Sequence, residues 1–300
     1  MKIEVVKNRK IFLSISLMLV LTSLVLMGVF GFKQGIDFTG GSLWQIKFSE
    51  PGVMEQNLRE AMLTAQVEGV SITRSSDNSW LLRFGEMDEA RHQDLTFNIR
   101  QTVGNFEELS FQSIGPSIGQ ELRKKAIWAV FMVLLGVSLF VAFSFRKVSE
   151  PVSSFAYGGV TLIALFHDVI IPTGLLAVLG RVVGVELDTN FIVALLVIAG
   201  FSVHDTIVVF DRIRENLKRE KGRPDLSLVV NKSVKETMAR SINTSITLVF
   251  ILIAMLLAGP QSLFYFILTI LVGTIVGTYS SIFLASPMLV VWQERKERSR

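Results

Sequence analysis

The sequence predicts an α-helical membrane protein with six transmembrane helices and a small α+β domain between the first and the second of them. Half of the 300 residues are hydrophobic, only 19% are charged, and the charged residues are clustered. Six long apolar runs follow one another, and the stretch between the first two alternates between strand-like and helix-like patterns. A helix needs about 20 residues to cross the hydrocarbon core of a bilayer, so each run is a candidate span.

The candidate spans differ in length. The first is too long for the apolar region of a signal peptide and no cleavage signal follows it, which predicts an uncleaved anchor within the segment 1–32. Five further spans occupy the segment 126–292, and the sixth contains a Gly273–Gly277 pair whose spacing indicates close helix packing. In chain order the runs cover residues 11–32, 126–145, 152–179, 189–210, 241–258 and 262–292.

The segment 33–125 has the patterns of a soluble domain. Strand and helix patterns alternate in the order βαββαβ, which is typical of a small ferredoxin-like fold, with another α+β arrangement as the alternative. A turn at 75–79 joins the two central strands, and the glycines of 35–42 predict a tight turn into the first strand. The predicted strands are 43–48, 70–74, 80–84 and 109–114, and the predicted helices are 54–66 and 89–103.

Lysine and arginine predict the orientation of the spans, because cytoplasmic loops are enriched in them. Basic residues precede the first span, follow the second at 146–147, and form the tail 293–300. Nine more lie in the loop 211–240. Six spans bring these segments to one side, so both termini are predicted to be cytoplasmic and the domain 33–125 to lie outside. The basic triplet 123–125 then lies outside, next to a long translocated domain for which the rule is weak.

The loop 211–240 begins with charged residues and becomes amphipathic. In its second half, apolar residues recur every four positions with lysine and glutamate between them. This spacing predicts a helix that lies on the membrane surface before the fifth span. The apolar positions are Leu226, Val230, Val234 and Met238.

The sequence carries no pattern of an enzyme. It has no cysteine, which excludes disulfides and thiol chemistry, and it lacks metal-ligand spacings, a Ser–His–Asp nucleophile setting and a dinucleotide fingerprint. We therefore predict no catalytic site, cofactor or metal. The basic runs border apolar segments without interleaved aromatic residues, which argues against nucleic acid and leaves the lipid bilayer as the surrounding medium.

Two His–Asp pairs lie within predicted spans: His167 and Asp168 in the third, and His204 and Asp205 in the fourth. A carboxylate at membrane depth costs about 2.5–3.5 kcal/mol on insertion scales, so it needs a partner or a function. Burial favours the neutral carboxyl group and a nearby cation favours the charged one, so a carboxylate balanced between them binds and releases protons near neutral pH. The alternative is that these groups only satisfy one another or a backbone carbonyl.

Asp205 has two candidate cations. Arg212 shares its helical face at i+7, as does Ser202 at i−3. Arg240 opens the fifth span at a similar level. It either faces Asp205 across the bundle or extends its charge to the cytoplasmic surface.

Five motifs together resemble those of the SecD/SecF protein-export family, which belongs to the resistance–nodulation–division superfamily. Their combination is specific and extends nearly from end to end of the chain. The motifs are GIDFTGGS at 35–42, IGPSIGQEL at 114–122, ALFHDV at 164–169, GFSVHDTIVVFDRIREN at 200–216 and SINTS at 241–245.

The resemblance implies a function that composition does not. It implies use of the proton motive force to assist preprotein translocation across the bacterial plasma membrane. The implied partners are SecD, the SecYEG channel with SecA, YidC, YajC and the preprotein. The positions matching Asp205 and Arg240 are implicated in proton conduction, His167–Asp168 is a family signature, and His204 stands where the family usually has asparagine. Taken together, the resemblance and the ionisable residues within the spans predict a proton-coupling set of Asp205, Arg240, His204, Asp168 and His167.

Two other functions are compatible with the sequence. One is export of small molecules or lipids, as in other members of the superfamily, although exporters usually carry a larger outer domain than 33–125. The other is a purely structural role in the translocation machinery, which predicts that Asp205→Asn leaves export unchanged.

Overall fold

The structure, a computed structural model, describes residues 4–49, 52–74, 79–146, 152–220 and 225–298. The chain separates into two compact units, one formed by Met1–Lys33 with Trp128–Arg300 and the other by Gln34–Ile127. We name the first unit the helical bundle and the second the α/β domain. Parts of the predicted turn at 75–79, of the loop 211–240 and of both terminal segments lie outside the described residues, as does residue 147.

The α/β domain follows the first span, α1 (Arg9–Phe30), and begins with a single-turn helix, α2 (Ile36–Thr39). Its further elements have the predicted βαββαβ order: β1 (Gly41–Phe48), α3 (Glu55–Thr64), β2 (Ser71–Arg74), β3 (Trp80–Phe84), α4 (Glu89–Thr102) and β4 (Phe106–Ile114). The strands form one antiparallel sheet in the order β2-β3-β1-β4. This is the strand order of a ferredoxin-like fold, so the predicted fold of the domain is confirmed.

The core of the α/β domain is formed by the sheet and its two longer helices. Alternate residues of β1 and β3 point towards it, and Trp44, Ile46 and Leu82 are fully buried. They belong to one apolar cluster with Leu58 of α3 and Ile99 of α4. The alternation that predicted these strands therefore follows from burial of a single face of the sheet.

Two glycines at the start of β1 form the predicted tight turn, one directly before the strand and one as its first residue. Gly40 and Gly41 have φ values of 76° and 115°, in the region that favours glycine. A Cβ on Gly40 would come within 2.7 Å of Cα of Pro116, and a Cβ on Gly119 within 2.8 Å of the Gly40 nitrogen. The backbones of the first two motifs thus meet directly, which requires small residues in both.

The five remaining spans are long helices. They are α5 (Pro116–Ser144), α6 (Ser154–Val182), α7 (Thr189–Arg219), α8 (Leu226–Ala258), and α9 (Phe264–Ser280) with α10 (Ser286–Arg298). A π-helical segment, Ser281–Ala285, joins α9 and α10 into one span. Among the described residues six helices, counting α1, are long and apolar enough to cross a membrane, which confirms the predicted number.

The segment 211–240 differs from the prediction of a separate surface helix. α7 and α8 extend into it from both sides, so that most of it continues the fourth or the fifth span. Val230 and Val234 are fully buried, in one cluster with Ile213 and with Val5 near the N-terminus. The spacing predicted a helix correctly. Its apolar side packs against the bundle because the end of α7 and the residues before α1 provide an apolar surface there.

α6, α7 and α9 form the interior of the bundle. About half of the residues in the most apolar stretch of each of these spans are buried, compared with 11% in α1 and α5 and 17% in α8. α1 packs along α6, and α9 contacts α6, α7 and α8. Ionisable side chains on the inner helices are therefore the ones that need partners within the protein.

Candidate functional site

Asp168 lies at the centre of a buried group of hydrogen-bond donors. Its side chain, on α6, is fully buried. Its Oδ2 accepts hydrogen bonds from the hydroxyl groups of Ser202 on α7 and of Ser280 on α9, the latter at 2.7 Å. Its Oδ1 lies 2.8 Å from Nδ1 of His167. We name these four residues the Asp168 cage. Their hydrogen bonds offset the cost of a polar group at membrane depth.

His167 is 2% exposed, and within the part of the chain that the structure describes only one of its ring nitrogens has a partner. Nδ1 faces Asp168, whereas Nε2 has no hydrogen-bond partner among the described residues. The ring of Tyr279 lies close by, with 6.3 Å between the ring centroids. The Tyr279 hydroxyl donates to the backbone carbonyl of Phe12 at 3.1 Å and so is directed towards α1. The His–Asp pair expected in the third span is therefore a direct contact in the interior.

Asp205 is also 2% exposed, but fewer groups hold it. In the described part of the chain, its carboxylate accepts one side-chain hydrogen bond, from Ser245 of α8 at 3.4 Å. The Ser245 hydroxyl in turn accepts from Thr278 of α9 at 2.6 Å. A separation of 3.4 Å lies beyond the usual range for such bonds, so the contact is weak. Asp205 is therefore the less satisfied of the two buried carboxylates.

The side chains around the two carboxylates occupy neighbouring positions on α7 and on α9. On α7, Ser202 precedes Asp205 by one turn, but its hydroxyl donates to Asp168. On α9, Thr278 belongs to the hydrogen-bond chain that ends at Asp205, and Ser280 contacts Asp168. Both carboxylates are therefore hydrogen-bonded, directly or through one hydroxyl group, to side chains of α9.

Small residues and the π-helical segment shape α9 at this level. A Cβ added at Gly273 or Gly277 would meet the side chain of Ile198 or of Ser202 on α7, which confirms the predicted packing face. The π-helical segment begins directly after Ser280. Such single-turn segments are frequent at functional sites.

Neither candidate cation forms an ion pair with Asp205 among the described residues. Arg212 pairs instead with Glu215 at 2.5 Å and with Glu236 of α8 at 2.6 Å. The side chain of Arg240 is exposed and forms no ion pair with a described residue. The i+7 spacing therefore placed Arg212 on the same face of α7 as Asp205, but its guanidinium forms ion pairs with the two glutamates instead of with Asp205.

The five predicted residues fall into two groups. His167, Asp168 and Asp205 lie in the buried interior. The side chains that contact Asp168 and Asp205 are close neighbours on α7 and α9. His204 and Arg240 lie on the surface of the bundle. The described residues contain no group of three or more His, Cys, Asp or Glu side chains that could hold a metal ion. The arrangement is suited to binding and releasing protons and to passing hydrogen bonds between helices.

The hydroxyl groups of the sixth span were missed from the sequence. Thr278 and Ser280 both belong to the hydrogen-bonded groups around the carboxylates. The signal was present, because serine and threonine recur along a span that is otherwise apolar. These positions are Thr269, Thr274, Thr278, Ser280, Ser281 and Ser286.

Family models and curated relatives match most of the chain. The model described as protein export membrane protein SecD/SecF, C-terminal, matches residues 95–295, and the SecD/SecF GG motif matches residues 25–51. The protein translocase subunit SecF of Thermobaculum terrenum is 39% identical over 98% of this chain and 95% of its own length. The subunit of the same name from Anaerolinea thermophila is 34% identical over 99% of this chain and 96% of its own length.

Solved structures agree with this match. A crystal structure of SecDF from Thermus thermophilus, described as a translocon-associated membrane protein, has a TM-score of 0.80 and 32% identity. It covers 97% of this chain, which spans 38% of the SecDF chain. SecDF in a super-membrane-facing form has a TM-score of 0.67 and 30% identity, and the match covers 98% of this chain and 39% of that one. Sequence and fold together show that the chain belongs to the SecF family of protein translocase subunits.

Proposed function

We propose that this chain couples proton movement across the bacterial plasma membrane to preprotein translocation, as a subunit that works with SecD. The observation that carries the proposal is Asp205, a carboxylate buried inside the bundle with one weak side-chain hydrogen bond in the described part of the chain. Few contacts oppose a change of its protonation state, and proton binding removes a charge from a site where charge is costly. Membership in the SecF family supports the link to protein translocation.

The hydrogen bonds around Asp205 give proton binding a structural consequence. Ser245 of α8 donates to Asp205 and accepts from Thr278 of α9, so three helices meet at this carboxylate. When Asp205 gains a proton, its contact with Ser245 changes from a charge-assisted hydrogen bond to a weaker neutral one. One elementary charge that crosses 100 mV releases about 2.3 kcal/mol, which is enough to change the balance between two helix packings.

The decisive test compares two aspartate-to-asparagine changes in α7. Asp205→Asn removes the titratable group with little change in shape, and we expect it to abolish most proton flux and most proton-dependent export in membrane vesicles. Asp188→Asn is the matched control. Asp188 is the N-cap of the same helix, and asparagine caps a helix as well as aspartate, so export should stay near that of the parent chain.

Assembly with SecD is measured for both variants before export is compared. Normal export by an assembled Asp205→Asn chain would overturn proton coupling and favour a purely structural role. Loss of export in Asp205→Asn alone, with intact assembly, would exclude the structural role.

Arg240 enters the proposal as a counter-charge that approaches Asp205 in another packing of the bundle. It is exposed on α8, little more than one turn before Ser245, the residue that contacts Asp205. We expect Arg240→Met to reduce proton flux strongly, whereas Lys235→Met, at an exposed position of the same helix, leaves it unchanged. Unchanged flux in Arg240→Met would mean that the arginine only extends its charge to the membrane surface.

A polar face on the bundle supports SecD as the partner. Gly200 and His204 are exposed one turn apart on α7, and Asn243, Thr244 and Thr247 are exposed on α8. The three α8 residues line a groove of about 460 Å³ between the two helices. The hydroxyl groups of Thr244 and Thr247 donate to the carbonyls of Arg240 and Asn243 in their own helix, each at 2.9 Å. Polar side chains are still costly where they face lipid, and a second helical bundle would offer them partners outside their own helix. The solved SecDF chain is more than twice as long as the part that this chain matches, which is compatible with such a partner.

Photo-cross-linking tests this contact. The chain has no cysteine, so a single introduced cysteine carries a benzophenone label to one position. We expect the label at Thr247→Cys to capture SecD, whereas the same label at Phe131→Cys, on an exposed position of α5, captures lipid. Capture of SecD from Phe131→Cys but not from Thr247→Cys would place the interface elsewhere on the bundle.

The SecYEG channel with SecA, YidC, YajC and the preprotein itself are proposed as further partners. The plasma membrane is the proposed location, with both termini in the cytoplasm and the α/β domain outside. The resemblance of the five motifs supports the partners, and the distribution of lysine and arginine supports the orientation. Copurification of the tagged chain from native membranes, with identification of the bound proteins, tests the list of partners.

A further inference from the structure

The Asp168 cage contains a hydroxyl group with two possible acceptors. Oγ of Ser280 lies 2.7 Å from Oδ2 of Asp168 and 3.0 Å from the backbone oxygen of Gly277. A hydroxyl group has one proton, so it donates fully to one of them at a time. The next residue, Ser281, is equally buried, but its hydroxyl donates to the Thr278 carbonyl at 3.1 Å within its own helix. Ser280 is thus able to change its acceptor without losing a hydrogen bond.

Three atoms of the cage could bind an additional proton. Protonation of either of the first two would leave an N–H group without a hydrogen-bond acceptor. A proton on Nε2 of His167 creates a buried charged N–H group, and Nε2 has no partner among the described residues. A proton on Oδ1 of Asp168 forces Nδ1 of His167 to accept it, which moves the ring's own proton to the same unpartnered Nε2. An unsatisfied buried donor is costly, and a charged one more so.

The third atom, Oδ2 of Asp168, avoids this cost. With a proton on Oδ2, the acid donates to Oγ of Ser280, and Ser280 turns its own proton to the carbonyl of Gly277. His167 keeps its contact with Oδ1, and Ser202 still donates to the carboxyl group. Each donor in the cage therefore has an acceptor in both protonation states.

We propose that Asp168 binds a proton on Oδ2, as a second proton-binding site beside Asp205, and that Ser280 is the positioning residue that makes this possible. The proton converts the carboxylate to a neutral acid, and the same proton leaves when Ser280 turns back. The link between α6 and α9 then alternates between a charge-assisted hydrogen bond and a neutral one of roughly half its strength. The inference depends on the proposed function only for the use of this proton in export, because proton binding is measured separately.

Few other ionisable groups lie near the cage. On α6 there is His167, and on the inner sides of α7 and α9 there are Asp205 and Tyr279. The apolar parts of α1 and α5 contain no ionisable side chain, and neither does the π-helical segment. The first ionisable residue of α10 is Glu294, which lies about 20 Å farther along the sixth span than Ser280. A titration inside the bundle is therefore assignable with few variants.

The test is an infrared pH titration of the full chain in lipid nanodiscs. Loss of a carboxylic acid carbonyl band in Asp168→Asn identifies the band of this residue. We expect the band to appear reversibly as the pH is lowered. Ser280→Ala should move its midpoint by roughly one pH unit, the size expected when a charged group loses one hydrogen bond. Ser281→Ala, which removes the same atom from the adjacent buried serine, should leave the midpoint unchanged.

Two results would overturn the inference. One is titration of an imidazolium band that His167→Gln abolishes, in place of the Asp168 band. The other is an equal shift of the midpoint in Ser280→Ala and Ser281→Ala. If Ser280→Ala does not fold, Ser280→Thr keeps the hydroxyl group and should retain the parent midpoint, while a shift of one pH unit would contradict the role of the hydroxyl. Normal export by Asp205→Asn would contradict the proposed function and leave this titration unaffected.

Discussion

At the level of single residues, Asp168 and Asp205 show two ways of holding a carboxylate inside a membrane bundle. Asp168 has three donors from three helices, whereas Asp205 has one weak contact among the described residues. A fully partnered carboxylate fixes the relative positions of the helices that supply its donors. A poorly partnered one changes its protonation state at a smaller structural cost.

This difference predicts that replacement by asparagine lowers the stability of the protein more at Asp168 than at Asp205. Asp168→Asn should lower the free energy of unfolding by about 2 kcal/mol, because an amide N–H₂ group replaces an acceptor towards which serine hydroxyls or the His167 N–H are directed. Asp205→Asn should lower it by less than about 1 kcal/mol, because a single 3.4 Å contact is affected. Unfolding of the purified chain in mixed detergent measures both. Equal losses would contradict the cage as a structural device.

The arginines show that a sequence pattern predicts the helix face of a charged residue but not its partner. Helical periodicity correctly placed Arg212 on the same side of α7 as Asp205, but Glu236 of α8 lies closer to the guanidinium. Periodicity describes one helix, whereas the partner of a charge depends on which neighbouring helix brings the opposite charge nearest. Arg240 as a counter-charge of Asp205 stays a prediction.

At the level of elements, the packing of α1 against α6 depends on a glycine. A Cβ added to Gly174 of α6 would lie 2.7 Å from Cα of Ser23 on α1, so the two backbones are in direct contact. Helices in lipid associate through close packing of small residues rather than through the hydrophobic effect. This contact is therefore important for holding α1, of which little is buried, against the bundle.

Gly174→Ala should therefore displace α1 and lower the free energy of unfolding by about 1–3 kcal/mol, since the clash is with backbone that cannot rotate away. Gly28→Ala in α1 is the matched control. A Cβ at Gly28 meets nothing within 4 Å, so this variant should be neutral or slightly stabilising. The same detergent unfolding measurement compares them. Similar stability of the two variants would mean that α1 adjusts its position freely.

At the level of the whole molecule, two compact units carry the separate parts of the proposed function. The bundle contains both buried carboxylates, and the α/β domain has its own apolar core. Family membership makes the chain a subunit of a protein translocase, that is, a transport component rather than an enzyme. The proposed orientation assigns the α/β domain to the side on which the preprotein emerges.

Cysteine labelling tests this orientation in cells. Because the chain has no cysteine, one is introduced at Gln56, exposed on α3, or at Lys218, exposed near the end of α7. A membrane-impermeant maleimide should label Gln56→Cys in intact spheroplasts and Lys218→Cys only after permeabilisation. The reverse pattern would invert the topology, because the positions lie on opposite sides when both termini are cytoplasmic.

The number of spans, the βαββαβ order and the positions of Asp168 and Asp205 along their spans were predictable from the sequence. These features depend on the length of apolar runs and on local periodicity, which are properties of consecutive residues. Boundaries were less accurate where charge interrupts a pattern. β4 begins at Phe106 rather than at 109, because Glu107 and Glu108 break the apolar alternation.

Tertiary packing alone determines which side chains meet at the carboxylates. Ser280 donates to Asp168 across a separation of 112 residues, and Ser245 reaches Asp205 across 40. Such contacts depend on which faces of α6, α7, α8 and α9 meet, and glycines such as Gly277 set how closely they approach. A serine in an apolar span has the same local pattern whether its hydroxyl bonds to its own helix or to a neighbour. The sequence therefore placed the buried carboxylates in their spans, and the packing of the helices supplied the donors that distinguish them.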